Sequence, residues 1–188
     1  MIYLVRHGES SANINKRFCG ITDVELSDLG RKQAEETGLY FKDLNISKIY
    51  ASPLKRAYET ARIISLKTDV KVITTDCLME VNFGIFENMT WDEIAANYKD
   101  ETDCWIALGH NYKFPKGESY ADIINRIAAF IENIEENTVI VTHFGVIQSI
   151  LLYLKIADET DIWNYHISNC DIIVLKNKKF DKIIKCIY

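Results

Sequence analysis

The chain has 188 residues, of which 48% are hydrophobic, and a chain of this length and composition fits one domain with a full core. Its formal net charge is -5 and it carries no basic tract, which disfavours general binding to nucleic acid. Its 5 cysteines are widely spaced, so no CxxC zinc or redox motif is present and reduced thiols in the cytoplasm are expected.

The N-terminal segment predicts a strand followed by a helix. Residues 2–5 form an apolar run that predicts a buried strand, too short for a signal peptide or a membrane span, and the run stops at Arg6-His7-Gly8-Glu9. We therefore expect a cytoplasmic protein without a membrane partner. Ser27 begins a predicted helix. The apolar residues that share one face of this helix are Leu29, Ala34, Phe41 and Leu44.

A second strand and helix follow. Residues 48–51 predict a short strand, and Ser52-Pro53 then predicts an N-cap with proline at the first helical position. The predicted helix carries Arg56 in its first turn. Residues 70–74 alternate like a third strand.

Residues 77–118 form the least regular segment and predict an insertion with a helix around residues 91–98. Ser119 and Asp122 then form a capping-box pattern at the start of a helix. The apolar residues on one face of this helix are Ile123, Ile127, Ile131 and Ile134.

The C-terminal third predicts another strand, a helix and a hairpin. Residues 139–141 predict a buried strand that ends at Thr142-His143, and an apolar helix is expected from Gly145 to about Leu154. Residues 172–175 and 183–187 flank a turn at residues 177–179 and predict a closing hairpin.

This alternation predicts an α/β fold, a three-layer αβα sandwich with a mostly parallel central sheet, helices on both faces and a small helical insertion. We expect one domain over residues 1–188 with the insertion at about 77–118. Such sheets bind ligands beyond the carboxyl ends of their strands. If the strands that end at His7, Ser52 and His143 are parallel neighbours, two histidines meet two arginines, Arg6 and Arg56, at one edge.

These residue types suit phosphoryl transfer. Arginine offers a planar fork of donors to phosphate, and an imidazole can attack phosphorus and carry the phosphoryl group. The leaving oxygen then needs a proton from a nearby carboxylic acid, and the scheme needs neither a metal nor another cofactor. Taken singly, Arg56 is typical of a surface helix and Glu80 of a solvated loop. Arg6-His7-Gly8-Glu9, directly after a buried strand, favours a catalytic histidine.

Other phosphatase chemistries lack their motifs. A cysteine phosphatase needs Cys-x5-Arg, and no cysteine here has arginine six residues later. The sequence contains neither H-E-x-x-H nor a phosphate-binding G-x4-G-K-[ST] loop. With only 4 histidines, a dinuclear metal site is also disfavoured.

The motifs together resemble the histidine phosphatase superfamily, also called phosphoglycerate mutase-like. The match extends from residue 2 to about residue 152, nearly the whole chain. The segments that carry it are 4–10 (LVRHGES), Asn13, 23–34 (DxxLxxxGxxQA), 51–57 (ASPLKRA), 78–84 (LMEVNFG), 115–119 (PKGES) and 141–147 (VTHFGVI).

The resemblance implies a role for each matching residue. It implies that His7 is phosphorylated, that Arg6, Arg56 and His143 bind the phosphoryl group, and that Glu80 protonates the leaving group. Asn13 is implied to hold phosphate. Gly20, in a segment similar to one in the mutases, is a further candidate for substrate or phosphate binding.

The sequence departs from the family pattern around the expected pocket. Phe144 and Lys116 replace common glycines, Met79 replaces a common arginine, and Glu59 stands where glutamine is common. These changes bear on pocket shape and substrate choice.

Three functional interpretations of the sequence were weighed. We expect a phosphomonoester hydrolase; the alternative is a cofactor-dependent phosphoglycerate mutase, although the mutases that the chain resembles are usually longer. A third, less favoured interpretation is a non-catalytic binding module, which is at odds with the presence of His7, Glu80 and His143.

The expected partner is a small phosphate ester, and the oligomeric state is left open. The resemblance is strongest to α-ribazole phosphatase-like and broad-specificity members. The aromatic residues expected near the pocket, or packed within the insertion, are Trp91, Trp105, Tyr112, Phe114 and Tyr120.

Overall fold

The fold is built on one six-stranded sheet. The computed structural model describes residues 1–186. The strands are β1 (Ile2–Arg6), β2 (Lys48–Ala51), β3 (Val72–Thr74), β4 (Thr138–Thr142), β5 (Ile172–Lys176) and β6 (Lys179–Ile184). They lie in the order β3-β2-β4-β1-β5-β6. The pairs among β1 to β4 are parallel, whereas β5 is antiparallel to β1 and β6 to β5, which confirms a mostly parallel sheet.

Helices cover both faces of this sheet. Within the described residues they are α1 (Ser11–Ile14), α2 (Asp28–Phe41), α3 (Lys55–Thr68), α4 (Trp91–Asn97), α5 (Lys99–Leu108), α6 (Tyr120–Glu132) and α7 (Phe144–Tyr153). Alternate side chains of β1 enter two separate cores. Val5 packs in the core formed with α2 and α3, whereas Leu4 packs in the core formed with α6 and α7. The predicted αβα layering is therefore confirmed.

The strand order explains where the polar strand ends meet. β4 lies between β2 and β1, all five of its residues are buried, and all three strands run in the same direction. Arg6 pairs with Thr142, and Ala51 pairs with Val141. The residues that follow these strands therefore lie at one edge of the sheet, as expected.

The insertion contains more helix than predicted. The expected helix is α4, which begins at a capping box formed by Thr90 and Glu93. A second helix, α5, follows directly after Tyr98 and was missed because its sequence, Lys99–Leu108, has a weak apolar pattern. The ring of Trp105 on α5 lies 4.8 Å from that of Phe114, so tertiary packing stabilises this helix.

Three local predictions are wrong. Ser52 is not an N-cap, because α3 begins at Lys55 with Leu54 as its cap. Two residues predicted on the apolar face of α2 are not part of its buried face: Leu29 is 40% exposed, and Leu44 lies beyond the end of the helix at Phe41. The buried face of α2 uses small residues because it packs closely on α3.

The second hairpin strand is also earlier than predicted. β6 occupies Lys179–Ile184 and is largely exposed, so the apolar pattern did not reveal its first half. Ile187, the predicted end of this strand, lies outside the described residues. The capping box at Ser119 and Asp122 is confirmed.

Candidate active site

A polar cleft opens at the edge of the sheet where β1, β2 and β4 end. Its cavity volume is about 290 Å³. The residues that line it include Arg6, His7, Asn13, Arg56 and Glu80. His143 lies beside it, with its ring centroid 5.1 Å from that of His7. The structure thus brings together the residues to which the motifs assigned catalytic roles.

His7 is buried and held in one orientation. Its Nδ1 lies 2.7 Å from the carbonyl oxygen of Gly8, a contact that requires the proton on Nδ1 and leaves Nε2 with a free lone pair. Burial, followed by the charges of Arg56 and Arg6, lowers the pKa of His7 well below its ordinary value. A neutral imidazole with a free Nε2 is the form that can act as a nucleophile.

Gly8 allows the loop after β1 to approach α2 closely. A Cβ on Gly8 would lie 2.4 Å from the carbonyl oxygen of Gly30, so no other residue fits here without movement. The Gly8 N–H also donates to Thr60 Oγ1 at 3.1 Å, and the Thr60 hydroxyl donates to the Arg56 carbonyl oxygen at 2.7 Å. The loop that carries His7 is thereby tied to the helix that carries Arg56.

Arg56 combines a structural and an electrostatic function. It is in the first turn of α3, as predicted, but its side chain is 1% exposed. Its terminal nitrogens donate to three backbone carbonyl oxygens, of Cys19 at 2.9 Å, Gly20 at 2.7 Å and Thr22 at 2.9 Å. Because arginine has five N–H donors, Nε–H and one terminal N–H make none of these three bonds, and Arg56 lines the cleft.

Arg6 is less completely bonded than Arg56. Its Nη1 donates to the carbonyl oxygen of Ile167 at 2.7 Å, whereas its buried Nε has no hydrogen-bond partner. The ring of Phe144 lies 5.3 Å from the guanidinium carbon, so the residue that replaces a common glycine stacks near this cation. A buried donor without a partner is costly, and an anion in the cleft would satisfy it.

His143 is oriented by Ser52, which the sequence predicted to be a helix N-cap. Its Nε2 lies 2.8 Å from Ser52 Oγ, and its Nδ1 is buried without a partner. The Leu54 N–H donates to Ser52 Oγ at 3.3 Å, which ties this hydroxyl to the start of α3. Burial, then Arg56 and His7, lower the pKa of His143 well below its ordinary value.

Glu80 is buried in the wall of the cleft. Its two carboxylate oxygens accept from the backbone N–H groups of Val81 at 3.0 Å and Gly145 at 3.2 Å. Burial raises its pKa, while those hydrogen bonds and the charges of Arg56 and Arg6 oppose the rise. A Cβ on Gly145 would lie 2.6 Å from Glu80 Oε1, so glycine at this position makes room for the acid.

Asn13 and Gly20 occupy different positions relative to the cleft. Asn13 lines it, but its Oδ1 accepts from the Ser10 N–H at 3.0 Å in a capping box at the start of α1. Gly20 lies behind Arg56, to which its carbonyl is bonded. A Cβ on Gly20 would lie 1.8 Å from the Val81 carbonyl oxygen, which explains the need for glycine.

A second, aromatic cavity adjoins the polar cleft. Its volume is about 450 Å³, and it shares the side chains of Phe18, Glu80, Phe83 and Phe144 with the cleft. Of the aromatic residues that were expected here, Trp91, Trp105 and Tyr120 line it. Tyr112 and Phe114 are instead 4% and 1% exposed and pack in the core. Trp163, which also lines the cavity, was not predicted.

Three polar or charged residues that the sequence did not identify hold the loops around the site. Glu87 accepts from the N–H groups of residues 20–22, whose segment binds Arg56. Arg126 on α6 donates to the carbonyl oxygens of Met79 at 2.6 Å and Glu80 at 3.3 Å, and also contacts the carbonyl of Cys77. Asn169 donates to the His7 carbonyl oxygen at 2.9 Å. None belongs to a local motif, so only the tertiary structure reveals them.

Two kinds of feature are absent from the part of the chain that the structure describes. Within residues 1–186, no group of three or more His, Cys, Asp or Glu side chains is arranged to hold a metal ion. No helix in the same range is long and apolar enough to span a membrane.

Known proteins match both the sequence and the fold. The sequence profile of the histidine phosphatase superfamily (branch 1) matches residues 2–187. Phosphoserine phosphatase 1 of Hydrogenobacter thermophilus is 29% identical over 188 residues, which cover 97% of this chain and 89% of that protein.

Solved structures agree with these sequence matches. The phosphoserine phosphatase of Entamoeba histolytica, in complex with 3-phosphoglyceric acid, matches with a TM-score of 0.80 at 25% identity. The matched region covers 98% of this chain and 94% of the chain of that phosphatase. The α-ribazole phosphatase of Shigella flexneri matches with a TM-score of 0.82 at 23% identity, over 95% of this chain and 92% of that chain, and this match shows a similar fold. The chain therefore belongs to the histidine phosphatase superfamily and is a phosphatase of that type.

Proposed function

We propose that this chain hydrolyses small phosphate monoesters through a phosphohistidine formed on Nε2 of His7. The observation that carries the proposal is the 2.7 Å contact between His7 Nδ1 and the Gly8 carbonyl oxygen. This contact holds the proton on Nδ1 and frees Nε2 in the cleft that Arg6, Arg56 and Glu80 also line.

The first half-reaction transfers the phosphoryl group to His7. Nε2 forms a bond to phosphorus, the bond between phosphorus and the ester oxygen breaks, and Glu80 gives its proton to the departing oxygen. The Nε–H and the remaining terminal N–H of Arg56, together with Arg6, stabilise the charge on the equatorial oxygens. Arg6 Nε and His143 Nδ1 are buried without partners, and in the tautomer with the proton on Nδ1 both would be donors to this anion.

The second half-reaction returns the enzyme to its starting state. Glu80, now a carboxylate, accepts a proton from water as the water oxygen attacks phosphorus. The bond from phosphorus to Nε2 breaks, and inorganic phosphate leaves. Burial raises the pKa of Glu80, which favours its protonated form before the first step, and the cleft arginines stabilise its charged form afterwards.

Asn13 and Gly20 are the remaining residues proposed to bind substrate or phosphate. Asn13 lines the cleft, which supports a contact from its amide N–H group to phosphate. The support for Gly20 is indirect, because it contacts Arg56 rather than the cleft.

The ester itself is a finer proposal. Phosphoserine is named for the relatives from Hydrogenobacter thermophilus and Entamoeba histolytica, and α-ribazole phosphate for the neighbour from Shigella flexneri. We include α-ribazole phosphate and other small esters among the candidate substrates. The cytoplasmic location and the single domain over residues 1–188 stay predictions.

Rapid-quench labelling tests the proposed intermediate. With an ester labelled in its phosphate group, we expect a labelled protein whose phosphate is lost in acid and retained in alkali, as is typical of phosphohistidine. His7→Ala should abolish the label, whereas His166→Ala, which replaces an exposed histidine, should retain it. Label on serine or aspartate would refute the proposal. Product analysis separates the alternatives, because a mutase yields an isomeric ester and a binding module yields no product.

A further inference from the structure

The aromatic cavity is positioned to receive the part of the substrate that leaves. Glu80, the proposed proton donor, belongs to the walls of both the polar cleft and the aromatic cavity. A phosphoryl group beside His7 therefore places its ester oxygen at Glu80, and the group attached to that oxygen extends along the shared wall. Phe18, Phe83 and Phe144 form the rest of this wall.

The lining of the aromatic cavity excludes one chemical class of leaving group. Among the described residues that line it, Glu80 and Tyr120 are ionisable and neither supplies a positive charge at neutral pH. A leaving group with a carboxylate would lose hydration there without gaining a cationic partner, at a large energetic cost.

The polar cleft offers no spare cation for such a carboxylate either. Its lining contains three arginines, and Arg6 and Arg56 are assigned to the phosphoryl group. The third, Arg17, is paired with Glu93, with Nη1 2.9 Å from Oε2 and Nη2 3.4 Å from Oε1. Arg17 also donates to the Asn88 carbonyl oxygen, so three of its five N–H donors are engaged and the Glu93 carboxylate offsets its charge.

The same lining favours a planar apolar group. Trp105 stands at the centre of the ring cluster, 5.2 Å from Phe18 and 5.4 Å from Trp91, measured between ring centroids. Trp91 and Trp163 are 40% and 53% exposed at the rim of the cavity. Exposed aromatic side chains around a cavity of about 450 Å³ are typical of a binding site for an aromatic or apolar ligand.

We infer that the preferred substrates of this enzyme are monoesters whose leaving group is aromatic or apolar and carries no carboxylate. The inference rests on the proposed function, because it assigns the leaving group to the cavity next to Glu80. Phosphoserine and phosphoglycerate, which carry carboxylates, are then poor substrates, even though relatives of this chain are named for phosphoserine.

Two primary alkyl esters of equal spacer length provide the kinetic test. We expect 2-phenylethyl phosphate to be hydrolysed with a kcat/KM about 10- to 100-fold higher than 3-phosphonooxypropanoate, because only the phenyl ring gains from burial in the cavity. The matching phosphonates, 3-phenylpropylphosphonate and 4-phosphonobutanoate, cannot be hydrolysed. Their binding by calorimetry should show the same preference.

Variants at the rim of the aromatic cavity test whether this cavity is the source of the preference for the phenyl ester. Trp163→Ala should reduce the preference for the phenyl ester about 3- to 10-fold, because part of the ring's contact area is lost. Phe180→Ala, at an aromatic residue of β6 that is 41% exposed, is the matched control and should leave the preference unchanged. Ile106→Lys adds a cation at a 67% exposed position of the cavity wall and should raise kcat/KM for the carboxylate ester several-fold.

The outcomes separate this inference from the proposed function. Equal or better hydrolysis of the carboxylate ester through a phosphohistidine would refute the substrate class and leave the proposed function standing. Preferential binding of the phenyl phosphonate without turnover of any ester would refute the proposed function and support the site. A preference that Phe180→Ala changes as much as Trp163→Ala would overturn the assignment of the aromatic cavity.

Discussion

Replacing Glu80 by glutamine separates proton donation from every other effect at this site. The glutamine amide has one oxygen and one NH2 group, whereas both oxygens of Glu80 accept, from Val81 N at 3.0 Å and Gly145 N at 3.2 Å. One of these N–H groups therefore loses its acceptor, which should lower the free energy of unfolding by about 1–3 kcal/mol. This penalty is the same for every substrate.

The catalytic effect, in contrast, depends on the leaving group. General acid catalysis contributes about 100- to 10,000-fold, or about 3–5 kcal/mol of activation free energy. We expect this whole loss for 2-phenylethyl phosphate, whose alkoxide is a poor leaving group. For p-nitrophenyl phosphate, whose leaving group needs little protonation, we expect a loss below about tenfold.

The pH dependence of kcat/KM supplies a second measurement on the same pair of proteins. Burial raises the pKa of Glu80, and activity needs its protonated form, so the activity of the wild-type protein on the alkyl ester should fall as the pH rises through that raised pKa. His7 must be neutral, and its pKa is lowered, so its effect appears only below its ordinary value of 6.5. Glu80→Gln should remove the alkaline limb and keep the acidic one.

A neighbouring acid provides the control for Glu80→Gln. Asp122→Asn changes a carboxylate that accepts from the Ser119 N–H at 2.8 Å and pairs with Lys113, but that does not line the polar cleft. Its losses should be similar for both esters. If Glu80→Gln also lowered both activities equally, Glu80 would serve to position the site and the reasoning on the proton donor would be wrong.

Three further predictions follow from the site. Arg56→Ala should lower kcat/KM by a factor that corresponds to about 2–4 kcal/mol of activation free energy, as for loss of a preorganised donor, and Arg56→Lys should restore little of it. Steady-state kinetics of Arg56→Ala near those of the wild type would show that Arg56 does not act in the site. Activity should persist in EDTA and be inhibited by vanadate; inactivation by chelation with recovery on adding zinc or magnesium would contradict this. Arg126→Met frees the backbone of Glu80, so alkyl ester hydrolysis should fall about 10- to 100-fold and p-nitrophenyl phosphate hydrolysis much less, whereas equal losses would refute this positioning role.

The sequence alone predicted the layers of the fold and the residues of the cleft. Hydrophobic runs identified β1 and β4 because both strands are buried, and a buried strand needs a continuous apolar sequence. The same signal failed for β6, whose exposed residues are mostly polar, and for α5, whose stability comes from Trp105 packing against the insertion. Membership of the family also followed from the motifs, of which those at 4–10, 51–57 and 141–147 span the ends of β1, β2 and β4.

Only the tertiary structure decided how each of these residues is set for chemistry. The sequence placed Ser52 at a helix cap, whereas contact across the sheet makes it the partner of His143, 91 residues away. The pKa of Glu80 depends on burial against α7 and on two arginines from other elements, and the Arg126 that holds its backbone is 46 residues away. Burial and turns can be predicted from local sequence patterns because they depend on residues that are close to one another along the chain. Hydrogen bonds between distant side chains leave no such pattern, so they emerge only when the chain is folded.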